Sequence, residues 1–185
     1  MEMSKKTKNI VLLTGSPRKG GNTDELADAF VRGAQAAGHR VVRFSAQEAK
    51  AGGCMACDYC IKHEGNCVQQ DGMQPVYDAL KEADALVLAS PVYYFGLSAQ
   101  LKAMVDRFYA SNGGKPYPIA EAALLLALEG DVEHDAASTV AAYHSIIGFL
   151  KWQDRGVVAA GGVMEKGAIA GHPALAQAES LGRTF

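Results

Sequence analysis

The chain has 185 residues and a formal net charge of -2, from 18 Lys and Arg against 20 Asp and Glu. That length suits one domain with a sizeable core, and the charges are scattered, with no basic arm or stripe to track a nucleic-acid backbone. Met1 to Asn9 is polar and lysine-bearing, and the apolar run after it, Ile10 to Leu13, is too short for a signal peptide or a membrane span. The expected setting is a reducing cytoplasm, where four cysteines point to metal or redox chemistry rather than to structural disulfides.

Ile10-Val11-Leu12-Leu13 reads as a strand buried on both faces, and a helix is expected over Asp24 to Ala37, where Leu26, Ala27, Phe30, Val31 and Ala34 recur at helical spacing. Between them lies Thr14-Gly15-Ser16-Pro17-Arg18-Lys19-Gly20-Gly21-Asn22-Thr23. Such a turn exposes backbone N–H groups at the positive end of the following helix, where an anion sits well. Its candidate contacts are Ser16, Gly20, Asn22 and Thr23, with Arg18 adding charge. A P-loop would need Lys and then Ser or Thr after its second glycine, whereas Gly21-Asn22 follows Gly20. A dinucleotide fingerprint would need a glycine where Pro17 stands. A monophosphate fits better; the competing reading is an ordinary strand-to-helix connection that uses glycine for a tight turn.

Gly38 ends the helix, and His39 to Phe44 forms a second β-rich run. All the cysteines then fall in one segment, Cys54-x2-Cys57-x2-Cys60-x6-Cys67, within a cysteine-rich loop at 52–70. Three cysteines at successive x2 intervals can wrap three corners of an iron–sulfur cube, with Cys67 free to take the fourth. Zinc more often uses two separated pairs. The third alternative is a set of small buried or reactive thiols that shape the loop. His63 lies inside the segment as a substitute ligand or an exposed loop histidine, and Asp71 is placed to cap a helix over Met73 to Glu82.

Ala85 to Ala89 is the third strand, and it opens into Ser90-Pro91-Val92-Tyr93-Tyr94-Phe95-Gly96. A rigid proline, three aromatics and a glycine offer backbone N–H groups and ring faces to a planar ligand such as isoalloxazine; the alternative is that the aromatics simply pack where the strand leaves the core. Leu97 to Tyr109 is an amphipathic helix, with Asp106-Arg107 near its end as an ion pair within the helix or at a subunit boundary. Ala122 to Leu128 is the fourth strand, and Glu129-Gly130 after it is placed to approach such a ligand from a third side. A helix over Ala136 to Leu150, a short fifth strand over Val157 to Ala160 and a helix over Pro173 to Leu181 complete the pattern. His134, His144 and His172 show no ligand-like spacing.

Five apolar strands separated by helices predict an α/β three-layer sandwich, a five-stranded parallel sheet of flavodoxin-like order 2-1-3-4-5 with helices on both faces. In that order the loops after strands 1 and 3 face one crevice. The combination of Gly15-Ser16-Pro17-Arg18, Gly20-Gly21-Asn22-Thr23, Ser90 to Ala103 and Val105-Asp106-Arg107 resembles the NAD(P)H-dependent FMN reductases and iron–sulfur flavoproteins of the flavodoxin-like superfamily.

That resemblance implies a single FMN-binding domain over residues 1–185. FMN phosphate contacts fall at Ser16, Arg18, Asn22 and Thr23, and ring contacts at Pro91, Val92, Tyr93, Tyr94 and Phe95. It also implies NAD(P)H as donor, a homodimer or homotetramer with FMN near a subunit boundary, and, in the iron–sulfur members, a 4Fe–4S cluster at Cys54, Cys57, Cys60 and Cys67. The expected activity is electron transfer from NAD(P)H through FMN to a quinone, nitro compound, flavin or metal ion. The alternatives are one-electron transfer with ferredoxin-like partners, a flavodoxin-type carrier without turnover of its own, and a zinc- or thiol-based module that has lost FMN. The near-neutral charge weighs against the carrier, since electrostatically docking carriers are often strongly acidic.

Overall fold

The computed structural model describes residues 7–185, so Met1 to Lys6 of the polar opening lie outside the described residues. The chain runs β1 (Asn9–Thr14), α1 (Asn22–Ala36), β2 (Arg40–Ser45), α2 (Ala46–Ala49), α3 (Tyr59–Lys62), α4 (Gln74–Leu80), β3 (Ala85–Tyr93), β4 (Gly96–Leu97) and α5 (Ala99–Asp106). A 3-10 segment, Arg107–Gly113, leads to β5 (Glu121–Ala127), α6 (Val132–Asp135), α7 (Ala137–Leu150), β6 (Gln153–Ala160) and α8 (Pro173–Thr184). Among the described residues no helix is long and apolar enough to cross a membrane.

The strands lie in the order β2-β1-β3-β5-β6, all parallel, which is the predicted flavodoxin-like 2-1-3-4-5 arrangement. The sheet differs from expectation by one strand. β3 does not stop at Ala89 but continues through Pro91 to Tyr93, then folds back so that Val92 pairs with Leu97 and Tyr93 with Gly96 in antiparallel β4. Leu97 therefore belongs to this hairpin, and α5 starts after its N-cap Ser98. β6 is also longer than Val157 to Ala160, because it begins at Gln153, whose polar residues pair at the sheet edge.

Side chains alternate across the sheet. Val11, Leu13, Leu86, Leu88, Leu124 and Leu126 join the core beneath α4, α5 and α7. Ile10, Leu12, Val87 and Leu125, interspersed with Ala85, Ala89, Ala123 and Ala127, form the opposite core beneath α1 and α8. The small residues on that second face let α1 lie close to the sheet. α1 and α8 also meet at backbone contact: a Cβ added to Gly33 would stand 1.9 Å from the Glu179 carbonyl oxygen, and one added to Gly182 would stand 2.3 Å from that of Phe30. The rings of Phe30 and Phe185 close this seam edge to face at 5.3 Å.

The loop bearing the cysteines is held from below by one guanidinium. Arg107 is only 2% exposed. Its Nη1 donates to the Gly52 carbonyl at 3.0 Å and to Asp71 Oδ2 at 2.9 Å, its Nη2 donates to Asp71 Oδ1 at 3.3 Å, and its Nε donates to Tyr77 Oη at 2.8 Å. Asp71 in turn accepts from the backbone N–H groups of Gly52 at 3.0 Å and Met73 at 3.1 Å. Both ends of the loop are thereby tied to one charge pair. Burial works against the Asp71 charge, but the hydrogen bonds from Arg107, Gly52 and Met73 outweigh it and hold the carboxyl below its ordinary range. Asp71 keeps a bond to the start of α4, as its position suggested, but its main partner is Arg107. Asp106 does not pair with its neighbour; it accepts from Lys102 one turn back.

Two outcomes follow from these contacts. Gly33→Ala should cost about 3 kcal/mol through overpacking and lower the thermal midpoint by roughly 6–12 °C; an unchanged midpoint contradicts the close approach. Asp71 has a depressed folded pKa, so its stabilisation is present above its unfolded pKa and is lost as pH falls through the folded value. Asp71→Asn should therefore cost about 3 kcal/mol in urea unfolding at pH 7, with the gap to wild type narrowing below about pH 4. A gap that stays constant with pH contradicts the ion pair.

Candidate functional site

β1 ends at the buried Thr14, and Gly15 N–H donates to the Ala89 carbonyl at 2.8 Å, so the loop after β1 starts against the end of β3. Ser16 Oγ accepts from Arg18 N–H at 3.1 Å and Gly21 N–H donates to the Arg18 carbonyl at 3.1 Å, which turns the chain tightly into α1. Gly20 takes φ +63, and its N–H donates to Asp24 Oδ2 at 2.8 Å. The N-cap of α1 is Gly21, and no side chain caps this end. The first amides of the helix thus keep their donor capacity and the positive end of the dipole for an anion.

Asn22 serves a different purpose from the one its position suggested. Its Nδ2 donates to the carbonyls of Val163 at 2.9 Å and Glu165 at 2.8 Å, while its Oδ1 accepts from Gly167 N–H at 3.0 Å and Ile169 N–H at 3.4 Å. The side-chain amide is committed to the fold, and what it holds is the segment after β6. Arg18 Nη1 donates to the Met164 carbonyl at 3.0 Å, and Lys166 Nζ donates to the Lys19 carbonyl at 2.9 Å. Two cations from two loops therefore flank the start of α1.

A cleft of about 200 Å³ opens at this point, at the carboxyl ends of the strands. Ser16, Arg18, Gly21, Asn22 and Thr23 line one wall, and Pro91, Val92 and Tyr93 line another. Ala127 at the end of β5, Leu128 and Glu129 after it, and Val163, Met164 and Lys166 after β6 complete it. Gly20, Tyr94 and Phe95 stand outside the lining: Gly20 borders a neighbouring hollow on the β2 side, and the two aromatics form the hairpin tip, Tyr94 fully exposed and Phe95 half-exposed.

That tip is strained. Tyr94 and Phe95 have φ of 45° and 62°, values that a two-residue hairpin turn normally assigns to Gly, Asn or Asp. The Phe95 carbonyl accepts from Ser138 Oγ, and from Thr139 Oγ1 at 3.0 Å, which pins the tip to the start of α7. Strain of this kind persists only where surrounding contacts enforce it, and it gathers at functional sites. Packing in the core does not account for these rings. The sequence-derived set lacks Gly21, Ala127 and Leu128, which adjoin its loop or end β5, and Val163, Met164 and Lys166, which follow the last strand beside the glycine pair Gly161-Gly162, the available signal for them.

Cys54 and Cys57 are exposed, Cys60 is buried on α3 and Cys67 is half-buried, all four as free thiols. All four line one small cavity with Tyr77, Arg107 and Tyr109. Burial pushes the Cys60 thiol up, and nearby Cys67 and Cys54 add to that. Among the described residues no group of three or more His, Cys, Asp or Glu side chains converges as a single-ion site. His63 is exposed, its ring stacked on Tyr59 at 3.6 Å, and takes no part in the cavity. A larger hollow of about 730 Å³ lies beyond Tyr77, lined by residues that include Glu64, Lys81, Lys115 and Tyr117. None of its lining residues begins a helix, and it lies away from the strand ends where ligands of such sheets bind.

Among solved structures, the fold superposes on an NAD(P)H:quinone oxidoreductase from Methanothermobacter marburgensis with a TM-score of 0.77 at 18% identity, covering 97% of this chain and 96% of that one. It superposes on an azoreductase from Bacillus anthracis with a TM-score of 0.69 at 18% identity, covering 97% and 100%. At such identities the likeness is one of fold. In sequence, an iron–sulfur flavoprotein of Archaeoglobus fulgidus is 38% identical over 95 residues, 51% of this chain and 43% of that protein. An iron–sulfur flavoprotein of Methanocaldococcus jannaschii is 32% identical over 120 residues, 64% of this chain and 60% of that one. The chain spans about half the length of the curated relatives it matches. Residues 8–167, which include the loop after β1, the cysteine segment, the aromatic hairpin and Lys166, match the sequence model of the NADPH-dependent FMN reductases, and the chain belongs to that family.

Proposed function

We propose that this chain is an FMN-dependent oxidoreductase that moves electrons from NAD(P)H through bound FMN to a small acceptor of the quinone, nitro-compound, flavin or metal-ion class. The observation that carries this reading is the convergence of an uncapped helix start, two cations and the strained hairpin on one cleft at the strand ends. Ser16, Arg18 and the backbone at Gly20 to Thr23 would hold the phosphate, and Pro91, Val92 and Tyr93 would hold the ring, with Tyr94 and Phe95 at its rim. When bound, FMN supplies hydride acceptance and electron delivery. The protein's share is to orient the ring, to set its surroundings through backbone hydrogen bonds, and to leave an open face for donor and acceptor in turn. No side-chain acid or nucleophile is assigned.

The cysteine cavity favours a second, compatible reading as an iron–sulfur flavoprotein. Four free thiols share one cavity walled by a buried guanidinium, yet they do not draw together around a single ion. A cube spreads its four thiolates wider than one zinc does. Cys54, Cys57, Cys60 and Cys67 fit a 4Fe–4S cluster, which would supply one-electron exchange with ferredoxin-like partners. We also read the chain as working as a homodimer or homotetramer. The outer side of α7 exposes Ala137, Ala141, Ala142, Gly148 and Phe149, the last at 77%, a mostly apolar strip that a partner subunit would cover.

Anaerobic assays of the FMN-loaded protein should show flavin-dependent oxidation of NADH or NADPH with a quinone acceptor, and Arg18→Ala should weaken FMN binding about tenfold. Absence of such oxidation with every acceptor class named above overturns the reductase reading. For the cysteine site, iron and acid-labile sulfide should be present at about four each per chain and disappear in Cys67→Ser. Zinc, or no metal, in protein prepared without oxygen contradicts the cluster.

A further inference from the structure

Between the loop after β1 and the aromatic hairpin runs a hydrogen-bond relay through two fully buried serines, neither of which lines the cleft. Ser98, the N-cap of α5, is 0% exposed, as is Ser90 at the end of β3. Ser98 Oγ donates to the Gly15 carbonyl at 2.8 Å and accepts from Leu101 N–H at 3.4 Å. Its own backbone N–H donates to Ser90 Oγ at 3.0 Å, and Ser90 Oγ donates to the Pro91 carbonyl at 2.8 Å. Each hydroxyl has one proton and each proton has one carbonyl, so the direction of the relay is settled.

Gly15 is gripped on both edges of its backbone, by Ala89 on one side and Ser98 on the other. It also has no room to move: a Cβ added there would stand 2.5 Å from Ser98 Oγ and 2.8 Å from Leu101 Cβ. The relay thus joins Gly15, the first residue after β1, to Pro91 at the base of the hairpin through two serines that touch neither the cleft nor solvent.

We propose that Ser98 is a positioning residue that locks the two loops at one separation, so that a ligand with a phosphate at one end and a planar ring at the other meets both sites already in register. The inference rests on the FMN reading above and adds to it a source of affinity that needs both ends of the ligand. Preorganisation of this kind benefits a ligand that spans the two loops and does little for one that uses a single loop. Riboflavin, which lacks the phosphate, is the natural control. In Ser98→Ala the backbone N–H to Ser90 remains, so the hairpin keeps its support while the Gly15 carbonyl loses its donor.

The test is fluorescence titration of the flavin-free protein with FMN and with riboflavin. Ser98→Ala should weaken FMN about tenfold while riboflavin affinity changes by less than about twofold. Ser98→Cys, which keeps a weak donor of similar size, should fall between the two and decides the matter if the alanine variant does not fold. Equal weakening of both flavins, or no change in either, overturns the coupling. A wild-type chain that binds riboflavin and FMN alike refutes it while leaving flavin binding intact, whereas one that binds neither overturns the FMN reading and the proposal with it.

Discussion

The parallel pairing of β1 with β3, Ile10 opposite Ala85 through Thr14 opposite Ala89, is the constraint from which the rest of the architecture follows. At this seam the strand order reverses, so the chain leaves β1 toward one face and β3 toward the other, and a crevice opens between the two exits. Both strands are buried on both faces, which pins their register, since a slip of one residue would exchange the two cores. With the register pinned, Gly15 meets Ala89 and the loops after the two strands begin side by side. The alanines on the α1 face and the glycine contact with α8 then bring α1 close to the sheet, with its uncapped first turn at the strand ends.

The cysteine loop is built on a different principle. It contains only one short helix, and its positive-φ residues Ala56, Asp58, Glu64 and Gly65 give it little regular structure of its own. Its shape is set at its ends, where Gly52 and Asp71 share a buried guanidinium. Removing one partner of a pair like this costs more than the pair contributes net, because the remaining charge is stranded. The four thiols thus line one cavity in a loop closed by an interaction that does not depend on them.

Much of this was legible in the sequence, for identifiable reasons. The strands β1, β3 and β5 are near-continuous apolar runs, as strands buried on both faces must be, and the glycine-rich loop and the aromatic loop fall directly after two of them. The hairpin was hidden because its turn uses Tyr94 and Phe95 where turn chemistry expects Asn or Gly, and because Pro91 reads as the end of a strand. Asn22 in a glycine-rich loop reads as a ligand for an anion. Its bonds to residues 163–169 are contacts between distant parts of the chain that no local pattern announces. Asp106 makes the intrahelical ion pair its place near the helix end suggested, with Lys102, whereas Arg107 turns inward to Asp71, a partner 36 residues away that no local pattern announces.

Whether FMN occupies the cleft at the strand ends, as proposed, is decided by a crystal structure of the chain with FMN bound. The phosphate is expected at the first turn of α1, beside Ser16, Arg18 and the backbone at Thr23, with the ring against Pro91, Val92 and Tyr93. Flavin seated instead in the larger hollow between Glu64 and Tyr117, or a phosphate remote from α1, would contradict it.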